Sequence, residues 1–226
     1  MREGTETIVF EAAHLNAAYA DLSPVERLER LFMDFSREEI LLTSSFGTSA
    51  AFLLRLVNQV APGHPVYFID TGYHFPETML YKQQLTEQLG LHVIDLHPAV
   101  HLHARSEREA WYKAYPDRCC YVNKVLPLEA VQPGHRVWIS GLMGFQNDYR
   151  SQLHIFEGRG GLMKFHPLID ISKESYEIWS EVLQLDPHPL EGRGYGSVGC
   201  THCTERGMAR SGRWAQTGKT ECGLHL

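Results

Sequence analysis

The chain has 226 residues, 43% hydrophobic and 21% charged, which is enough for one globular domain with its own core. Its formal net charge of −6 argues against a nucleic-acid surface, which needs clustered lysine and arginine. No segment approaches the roughly 20 apolar residues of a membrane span, and the first residues lack the apolar run of a secretory signal. We therefore expect a cytoplasmic protein that binds neither nucleic acid nor membrane; its oligomeric state, a homo-oligomer included, stays open.

Short apolar runs alternate with longer amphipathic segments, a pattern typical of βαβ units and of a parallel sheet. The predicted buried strands are residues 40–44, 66–70, 92–96 and 137–141. The predicted helices are residues 48–60, 76–89 and 172–185. We expect an α/β fold with a twisted parallel sheet flanked by helices over residues 1–205, followed by a basic C-terminal tail, residues 206–226.

Two polar loops follow the first two predicted strands, at residues 43–49 and 70–77. Ligands of open parallel sheets bind at the carboxyl ends of the strands, where backbone amides at helix N-termini attract anions. The two loops together therefore predict a nucleotide site. The first loop is neither a Walker loop nor a GxGxxG sequence, and a simple helix N-cap explains its hydroxyl groups equally well.

Five cysteines form a pattern of two, two and one: Cys119 and Cys120 are adjacent, Cys200 and Cys203 form a Cys-x-x-Cys, and Cys222 stands alone. An odd number of cysteines cannot all pair, and in a reducing compartment a Cys-x-x-Cys is more often metal-binding or redox-active than a disulfide. The first four predict one metal site, and spacing alone fits a four-thiolate zinc site as well as an iron–sulfur cluster. Buried core thiols are the remaining interpretation.

The last cysteine lies among basic residues of the tail, namely Arg206, Arg210, Arg213 and Lys219. Positive charge stabilises a thiolate, so Cys222 is predicted to be a nucleophile beside a small anion site. A solvated basic surface is the alternative for the arginines and the lysine. Four histidines also cluster, His92, His97, His101 and His103, and solvent-facing loop positions are favoured for them over a second metal site.

Three segments resemble the assimilatory sulfonucleotide reductases, the family of adenosine 5′-phosphosulfate (APS) and phosphoadenosine phosphosulfate (PAPS) reductases. They are SSFGTSAAFLLRLVNQ from Ser44, FIDTGYHFPET from Phe68 and KTECGLH from Lys219. The resemblance implies an adenine nucleotide α-hydrolase-like fold, related to the PP-loop ATP pyrophosphatases. It also implies reduction of an adenylylated sulfate to sulfite and AMP through an S-sulfocysteine on Cys222, with thioredoxin or glutaredoxin as electron donor.

One branch of that family carries a Cys-Cys and a Cys-x-x-Cys around a 4Fe-4S cluster. The resemblance therefore implies that Cys119, Cys120, Cys200 and Cys203 hold such a cluster, and that the substrate is APS. It also implies that Lys124 lies where the family's lysine connects cluster and substrate. Adjacent ligands are unusual for tetrahedral zinc, which favours iron as well.

The same resemblance assigns a set of substrate-binding residues. In chain order they are Ser44, Ser45, Gly47, Lys124, Gly141, Gln146, Arg150, Arg210, Arg213, Lys219 and His225. Arginine suits sulfate and phosphate because its planar guanidinium forms paired, charge-assisted hydrogen bonds.

The chain departs from the family pattern at Met143 and Gly144, where the family usually has two arginines. Either other groups, such as Arg118 or Arg206, neutralise the substrate, or the preference has shifted. The first loop and the tripeptide from Val122 look more like the cluster-free PAPS branch, so PAPS, or both nucleotides, is the alternative substrate. An ATP pyrophosphatase and a non-catalytic iron–sulfur nucleotide sensor are the other hypotheses.

Overall fold

The computed structural model describes residues 12–159, 161–215, 219 and 221–224, and only the backbone at residue 159. It has a six-stranded sheet whose spatial order is β3-β2-β1-β4-β6-β5. The strands are β1 (Ile40–Thr43), β2 (Pro65–Ile69), β3 (His92–Leu96), β4 (Val137–Ile139), β5 (Phe156–Arg159) and β6 (Leu162–Phe165). The first four confirm the predicted strands within two residues at each end.

The pairings in this sheet are parallel except for the last one, in which β5 runs antiparallel to β6. The sequence pattern predicts no hairpin here. Gly158 and two charged residues interrupt β5, so this short edge strand lacks the continuous apolar run of a buried parallel strand. The predicted parallel α/β sheet is therefore confirmed, with an antiparallel edge added to it.

Ten helices lie in the described chain. They are α1 (residues 12–19), α2 (Pro24–Asp34), α3 (Ala50–Val60), α4 (Pro76–Leu89), α5 (Val100–Arg108), α6 (Trp111–Ala114), α7 (Pro116–Cys120), α8 (Leu126–Glu129), α9 (Asp148–Ser151) and α10 (Lys173–Val182). The three predicted helices are α3, α4 and α10, and Ser172 caps α10 by accepting a hydrogen bond from the Ser175 amide at 3.0 Å. None of the helices in the described residues is long and apolar enough to cross a membrane.

Helices α7 and α8 are joined by a π-helical turn, Tyr121–Val125, without a break in the helical path. Pro127 gives a physical reason for the wider turn. Proline has no amide hydrogen, and its ring collides with the carbonyl group four residues before it in a regular α-helix. The amide of Leu126 instead bonds to the carbonyl of Tyr121, five residues back.

Both faces of the sheet are covered by other elements. Successive side chains of a strand point to opposite faces, so neighbouring residues pack in different clusters. Leu42 of β1 packs in the main core with Phe52 and Leu56 of α3. Leu41, its neighbour, packs on the opposite face with Trp138 and a smaller group of residues. We call this opposite side the second face.

The order of the strands places a switch point between the two central strands, β1 and β4, and we call the space at their carboxyl ends the crevice. The chain moves outward from β1 through β2 to β3, and β4 then lies on the other side of β1. At such a switch point, the loops after the two diverging strands separate and leave room for a ligand. The loop after β1 begins at Ser44 and the loop after β4 begins at Ser140, so the predicted nucleotide loop borders this crevice.

The segment that follows residue 205 is bound to the chain before it by backbone hydrogen bonds. The amide of Glu205 donates to the carbonyl of Gly212 at 2.8 Å, and the amide of Gly207 donates to that of Gly194 at 3.0 Å. The division into a domain, residues 1–205, and a tail, residues 206–226, stays a prediction.

We expect Arg27→Lys to lower the free energy of unfolding by about 2 kcal/mol or more. The Arg27 side chain is 2% exposed and binds both oxygens of Asp170 at 2.6 Å, and it also donates to the carbonyl groups of Tyr19 and Pro167. Lysine cannot reproduce this planar set of donors. Urea denaturation measures the loss, and Arg30→Lys, at an exposed ion pair, is the control and should change stability by less than about 0.5 kcal/mol.

Candidate active site

The loop after β1 forms one wall of the crevice. It turns at Phe46, whose φ of 47° is left-handed and costs a non-glycine residue roughly 1 kcal/mol or more. The buried Phe46 ring stabilises this turn by packing edge-on against Phe68, with ring centroids 5.6 Å apart. The Phe46 amide also donates to Ser44 Oγ at 3.1 Å. Ser45 remains exposed and Gly47 is buried, so these three predicted residues, Ser44, Ser45 and Gly47, share one fixed loop.

The loop after β4 forms the opposite wall. Gly141 lies at its start, and a 3₁₀ turn, Gly144–Gln146, carries the predicted Gln146. Gln146 Nε2 donates to Ser49 Oγ at 3.2 Å, while its Oε1 accepts from the Met143 amide at 3.3 Å. Gln146 therefore connects the two loops across the crevice.

The structure leaves no room for arginine at residues 143 and 144, where the family usually has two arginines. Met143 is fully buried, with 0% exposure, in the main core. A Cβ atom on Gly144 would lie 2.7 Å from the carbonyl oxygen of Ile169, closer than real contacts allow. An arginine therefore fits at neither position without a shift of the backbone, and any compensating positive charge must come from other elements.

The two arginines named for that compensation do not lie together. Arg118 lies over the ring of Trp111, 4.0 Å from its centroid. Arg206 lies over the ring of Tyr195, at 6.0 Å. Both arginines are exposed, and these contacts assign neither of them to the crevice.

Arg150 and Arg210 meet instead at the carboxylate of Glu221, and we call these two residues the arginine pair. Arg150 Nε and Nη2 donate to the two oxygens of Glu221 at 2.6 and 2.9 Å, and Arg210 Nη2 donates to one of them at 3.1 Å. Asn147 Nδ2 adds a hydrogen bond of 2.9 Å to the same carboxylate. Arg150 also donates to Gln146 Oε1, which joins the arginine pair to the loop after β4.

The charges in this group stabilise each other. Burial alone would raise the pKa of Glu221, but hydrogen bonds from Arg150 and the charges of both arginines hold that pKa below its usual value. Burial, followed by the charge of Arg150, lowers the pKa of Arg210 to about 10. Two positive charges therefore share one negative charge at neutral pH.

The two cysteine pairs lie together, because Cys119, Cys120, Cys200 and Cys203 line one pocket, and their binding of a metal stays a prediction. We call it the thiol pocket. The other residues that line it are Tyr73, Tyr112, Asn123, Lys124 and His202. All five cysteines of the chain are free thiols.

Polar groups surround the sulfur atoms. Asn123 Nδ2 and Ser106 Oγ lie 3.6 and 3.7 Å from Cys119 Sγ, and Thr71 Oγ1 lies 3.4 Å from Cys200 Sγ. Burial raises the pKa of Cys119, and it raises that of Cys203 to about 11. Burial would raise the pKa of Cys200 too, but the charge of Lys124, the hydrogen bond to Thr71 and the charge of Arg213 together outweigh it, and the pKa falls.

Lys124 lies between the thiol pocket and Cys222. It lines that pocket, and its positive charge lowers the pKa of Cys200. Burial would lower the pKa of Lys124, but the thiolates of Cys200, Cys120 and Cys222 raise it well above its usual value. One lysine is thus near both the four paired cysteines and the single one, and its role in binding substrate stays a prediction.

Among the residues that the structure describes, no three or more histidine, cysteine, aspartate or glutamate side chains are grouped to hold a metal ion. Four cysteine thiols are a donor set that an iron–sulfur cluster takes, and a zinc ion takes it as well, so the residues of the thiol pocket fit such a group.

The remaining basic residues of the tail lie near the cysteines. Arg213 lies over the ring of Trp214 at 4.4 Å and against Gly199, where the space that a side chain would fill is taken by its guanidinium. Lys219 forms an ion pair with Asp117, next to the first cysteine pair.

The end of the tail crosses to the second face of the sheet. Cys222 is half-buried, and a Cβ atom on Gly223 would lie 3.3 Å from Val125. Leu224 packs among the residues of the second face, and its carbonyl oxygen accepts a hydrogen bond from Lys164 Nζ at 2.8 Å. His225, also predicted to bind substrate, lies outside the described residues.

The histidine cluster holds no metal-ion group in the described part of the chain. His92, His97 and His101 are exposed, but the predicted loop positions are wrong for His92, which begins β3, and for His101, which lies in α5. His103 is an exception, because it is half-buried and its Nδ1 lies 2.8 Å from Asn123 Oδ1, which places it behind the thiol pocket.

Residues 39–206 match the phosphoadenosine phosphosulfate reductase domain family. The chain belongs to this family. An adenosine 5′-phosphosulfate reductase of Mesorhizobium japonicum is 35% identical over 99% of this chain and 91% of its own length. A phosphoadenosine 5′-phosphosulfate reductase of Gloeobacter violaceus is 32% identical over 94% of this chain and 92% of its own length.

Solved structures show the same fold. A phosphoadenylyl-sulfate reductase of Candida auris matches with a TM-score of 0.73 and 22% identity, over 86% of this chain and 96% of its own. An NH₃-dependent NAD synthetase of Campylobacter jejuni matches with a TM-score of 0.53 and 13% identity, over 72% of this chain and 71% of its own. The predicted resemblance to the sulfonucleotide reductases, their fold and their enzyme class, an oxidoreductase acting on sulfur, is confirmed.

Two buried residues beside the arginine pair were not predicted for this sulfonucleotide reductase. Lys164 of β6 contacts the tail, and its ammonium group lies 5.0 Å from the centroid of the Trp138 ring. His166 follows that strand, with Nδ1 2.7 Å from Ser140 Oγ. A charged residue in a strand of four buried residues was the available sequence signal for Lys164, because such a residue needs a specific partner.

We expect acid to destabilise this reductase partly through His166. Burial, followed by the charges of Lys164 and Arg150, lowers the pKa of His166 to about 3. The unfolded chain takes up this proton near pH 6.5 and the folded chain does not, so stability present at neutral pH is lost as the pH falls toward 3.

His166 is expected to lower the free energy of unfolding by about 2 kcal/mol as the pH falls from 6 to 4. The steepest loss is about 1.4 kcal/mol per pH unit. Urea denaturation across this range should therefore show a shallower decline for His166→Asn than for the wild type. His154→Asn, at an exposed position, is the control. Parallel curves for His166→Asn and the wild type would contradict the assignment.

Proposed function

We propose that this protein reduces APS to sulfite and AMP in assimilatory sulfate reduction, in the cytoplasm, with thioredoxin or glutaredoxin as electron donor. The observation that carries the proposal is the position of Cys222, next to Lys124 and directly after the residue that binds the arginine pair. A thiol nucleophile, a lysine and two guanidinium groups are what transfer of a sulfonate group requires. Family membership supports the same reaction.

In the proposed first step the Cys222 thiolate attacks the sulfur of APS. A bond forms between the two sulfur atoms, the bond from sulfur to the bridging oxygen breaks, and AMP leaves with that electron pair. Lys124 and the arginine pair stabilise the negative charge on the transferring and leaving groups. Cys222 then carries a sulfonate group as S-sulfocysteine.

In the second step a thiolate of reduced thioredoxin or glutaredoxin attacks Cys222 Sγ. The bond between the two sulfurs breaks and sulfite leaves with the electron pair. The partner's second thiol then resolves the mixed disulfide, so the partner is oxidised by two electrons and the Cys222 thiolate is restored.

The thiol pocket is proposed to hold a 4Fe-4S cluster through Cys119, Cys120, Cys200 and Cys203. Such a cluster would supply a fixed charge next to Lys124 and so adjust the electrostatics of the substrate site. Lys124 supports this assignment, because its ammonium group can neutralise the thiolate ligands on one side and face Cys222 on the other.

The loops after β1 and β4 are proposed to bind the nucleotide. Ser44, Ser45 and Gly47 bind the nucleotide on one wall of the crevice, and Gly141 and Gln146 bind it on the other. Arg213 and Lys219 complete the positive surroundings of Cys222, and His225, which lies outside the described residues, stays a predicted substrate contact.

PAPS is the second candidate substrate, favoured by one observation: the Gloeobacter violaceus relative is a phosphoadenosine 5′-phosphosulfate reductase. PAPS carries an additional 3′-phosphate, which needs a further basic contact. We rank APS first because the two cysteine pairs belong to the branch of the family that uses it.

The test uses anaerobically purified protein and sulfur-labelled APS or PAPS in parallel. We expect APS to label Cys222 in the absence of thioredoxin, and labelled sulfite to appear when reduced thioredoxin is added. A higher kcat/KM with PAPS would reverse the substrate order. Release of pyrophosphate from ATP, or nucleotide binding without label or sulfite, would contradict the proposal and support the ATP pyrophosphatase or the sensor hypothesis.

Bound iron is measured separately. The wild type should contain about four iron atoms per chain. Cys203→Ser should lower that number and remove the visible absorption, whereas zinc in the purified protein would contradict the cluster.

A further inference from the structure

The carboxylate of Glu221 is the most completely satisfied charged group of the tail. It is 1% exposed and accepts hydrogen bonds from Arg150, Arg210 and Asn147. Arg150, its main partner, is 6% exposed. A buried carboxylate of this kind is strongly held, because separating it from its arginine leaves two unpaired charges in a site of low polarity.

A sulfate or a phosphate group presents arginine with the same chemistry as a carboxylate. In each case two oxygen atoms of one anion accept parallel hydrogen bonds from one guanidinium group. Arg150 already binds Glu221 through two such bonds. Its Nη1 group donates to Gln146, so the Nε–Nη2 edge, which binds two oxygen atoms of one anion, is occupied while Glu221 is bound.

We propose that Glu221 is a stand-in for the substrate oxyanion and competes with it for the arginine pair. Docking of the tail and binding of the oxyanion at Arg150 and Arg210 then exclude each other. The inference rests on the proposed function, in which the arginine pair binds the phosphosulfate group. It adds a residue, Glu221, that controls access to the site and the position of its neighbour, Cys222.

Exchange of one anion for another makes the displacement feasible. When the phosphosulfate group takes the arginine pair, the two guanidinium groups keep an anionic partner, so no buried positive charge is left unpaired. The carboxylate of Glu221 leaves toward solvent. Cys222 is then released from the docked position and can approach the sulfur atom that now lies beside the arginine pair.

The first test is the binding of AMP and adenosine to wild type and Glu221→Gln, measured by calorimetry without any turnover. If the tail is docked about 90% of the time, it weakens apparent AMP affinity about tenfold, and removing the competing charge restores it. We expect about tenfold tighter AMP binding by Glu221→Gln. Adenosine, which has no phosphate, should bind both proteins equally.

Asp170→Asn is the matched control, because it also removes a carboxylate from a paired bond with a buried arginine, Arg27, outside the crevice. It should lower stability without changing AMP affinity. Equal AMP affinity of wild type and Glu221→Gln, or weaker binding by Glu221→Gln, would overturn the proposal. These outcomes are independent of whether APS is reduced, so failure of the proposed function would be recognised separately by the absence of sulfite and of a Cys222 adduct.

A second test needs no variant and therefore stands even if Glu221→Gln fails to fold. Amide hydrogen exchange of residues 221–224 is measured in the wild type with AMP, inorganic sulfate or adenosine. We expect AMP and sulfate to accelerate exchange because they undock the tail, and adenosine to leave it unchanged. Unchanged or slower exchange with saturating AMP would show that tail and oxyanion bind together, against the proposal.

Discussion

Replacement of Cys222 by serine is expected to abolish sulfite formation, lowering the rate by more than roughly 1,000-fold. A serine hydroxyl is not ionised at neutral pH and is a much weaker nucleophile than a thiolate, so the S-sulfocysteine does not form. The surroundings would persist, because the arginine pair binds Glu221 and not Cys222. Labelled APS with and without reduced thioredoxin measures both sulfite and the protein-bound label.

The other four cysteines line the thiol pocket and so offer no neutral control for Cys222→Ser. Two further measurements on Cys222→Ser serve as controls: its melting temperature and its affinity for AMP should both equal those of the wild type. Sulfite formation above a tenth of the wild-type rate, or label on another residue, would rule out Cys222 as the nucleophile.

Restoring a family arginine at residue 143 is expected to unfold the protein rather than improve substrate binding. Met143→Arg places a charge at a fully buried position of the main core, among Leu142, Ile155 and other apolar residues. An unpaired buried charge costs several kcal/mol, which is a large part of the total stability of a domain. We expect a loss of about 4 kcal/mol or more, measured by urea denaturation.

Met33→Arg is the matched control, since Met33 is 75% exposed on α2 and the same substitution there should change stability by less than about 0.5 kcal/mol. If Met143→Arg folds, its affinity for AMP shows whether the new arginine reaches the crevice. Wild-type stability together with tighter AMP binding would mean that the loop after β4 can turn this side chain into the crevice, contrary to its packing.

Local patterns were sufficient to predict the parallel part of the sheet. The strands from Ile40 to Ile139 are short apolar runs between amphipathic helices, and helix α4 begins at Pro76 and ends before Gly90, both as predicted. The β5–β6 hairpin was missed because its stability depends on pairing across the sheet, where Glu157 lies opposite Lys164. The four residues of β5 alone do not show which strand they pair with.

The cysteines were predictable for a similar reason, since their spacing within the chain limits what they can bind. Glu221 was not, although it lies beside Cys222 in the KTECGLH segment. A carboxylate among basic residues normally indicates a solvated surface, and only the fold shows that Arg150, 71 positions away in the chain, reaches it. The arginine pair was likewise predicted as two separate contacts, because the sequence does not show that they share one anion.

The π-helical turn before Pro127 sets the angular relation between the first cysteine pair and Lys124. In a regular α-helix of 3.6 residues per turn, Cys119 and Lys124 would point about 140° apart around the axis. A turn closed by bonds to the fifth residue brings fifth neighbours closer to one side of the helix than an α-helix does, and both side chains line the thiol pocket. An unbroken α-helix of the same sequence, without the π turn at Tyr121–Val125, would rotate Lys124 away from the first cysteine pair. The phase of one helix, as much as the identity of its residues, thus determines whether the lysine can connect the cysteines to the nucleophile.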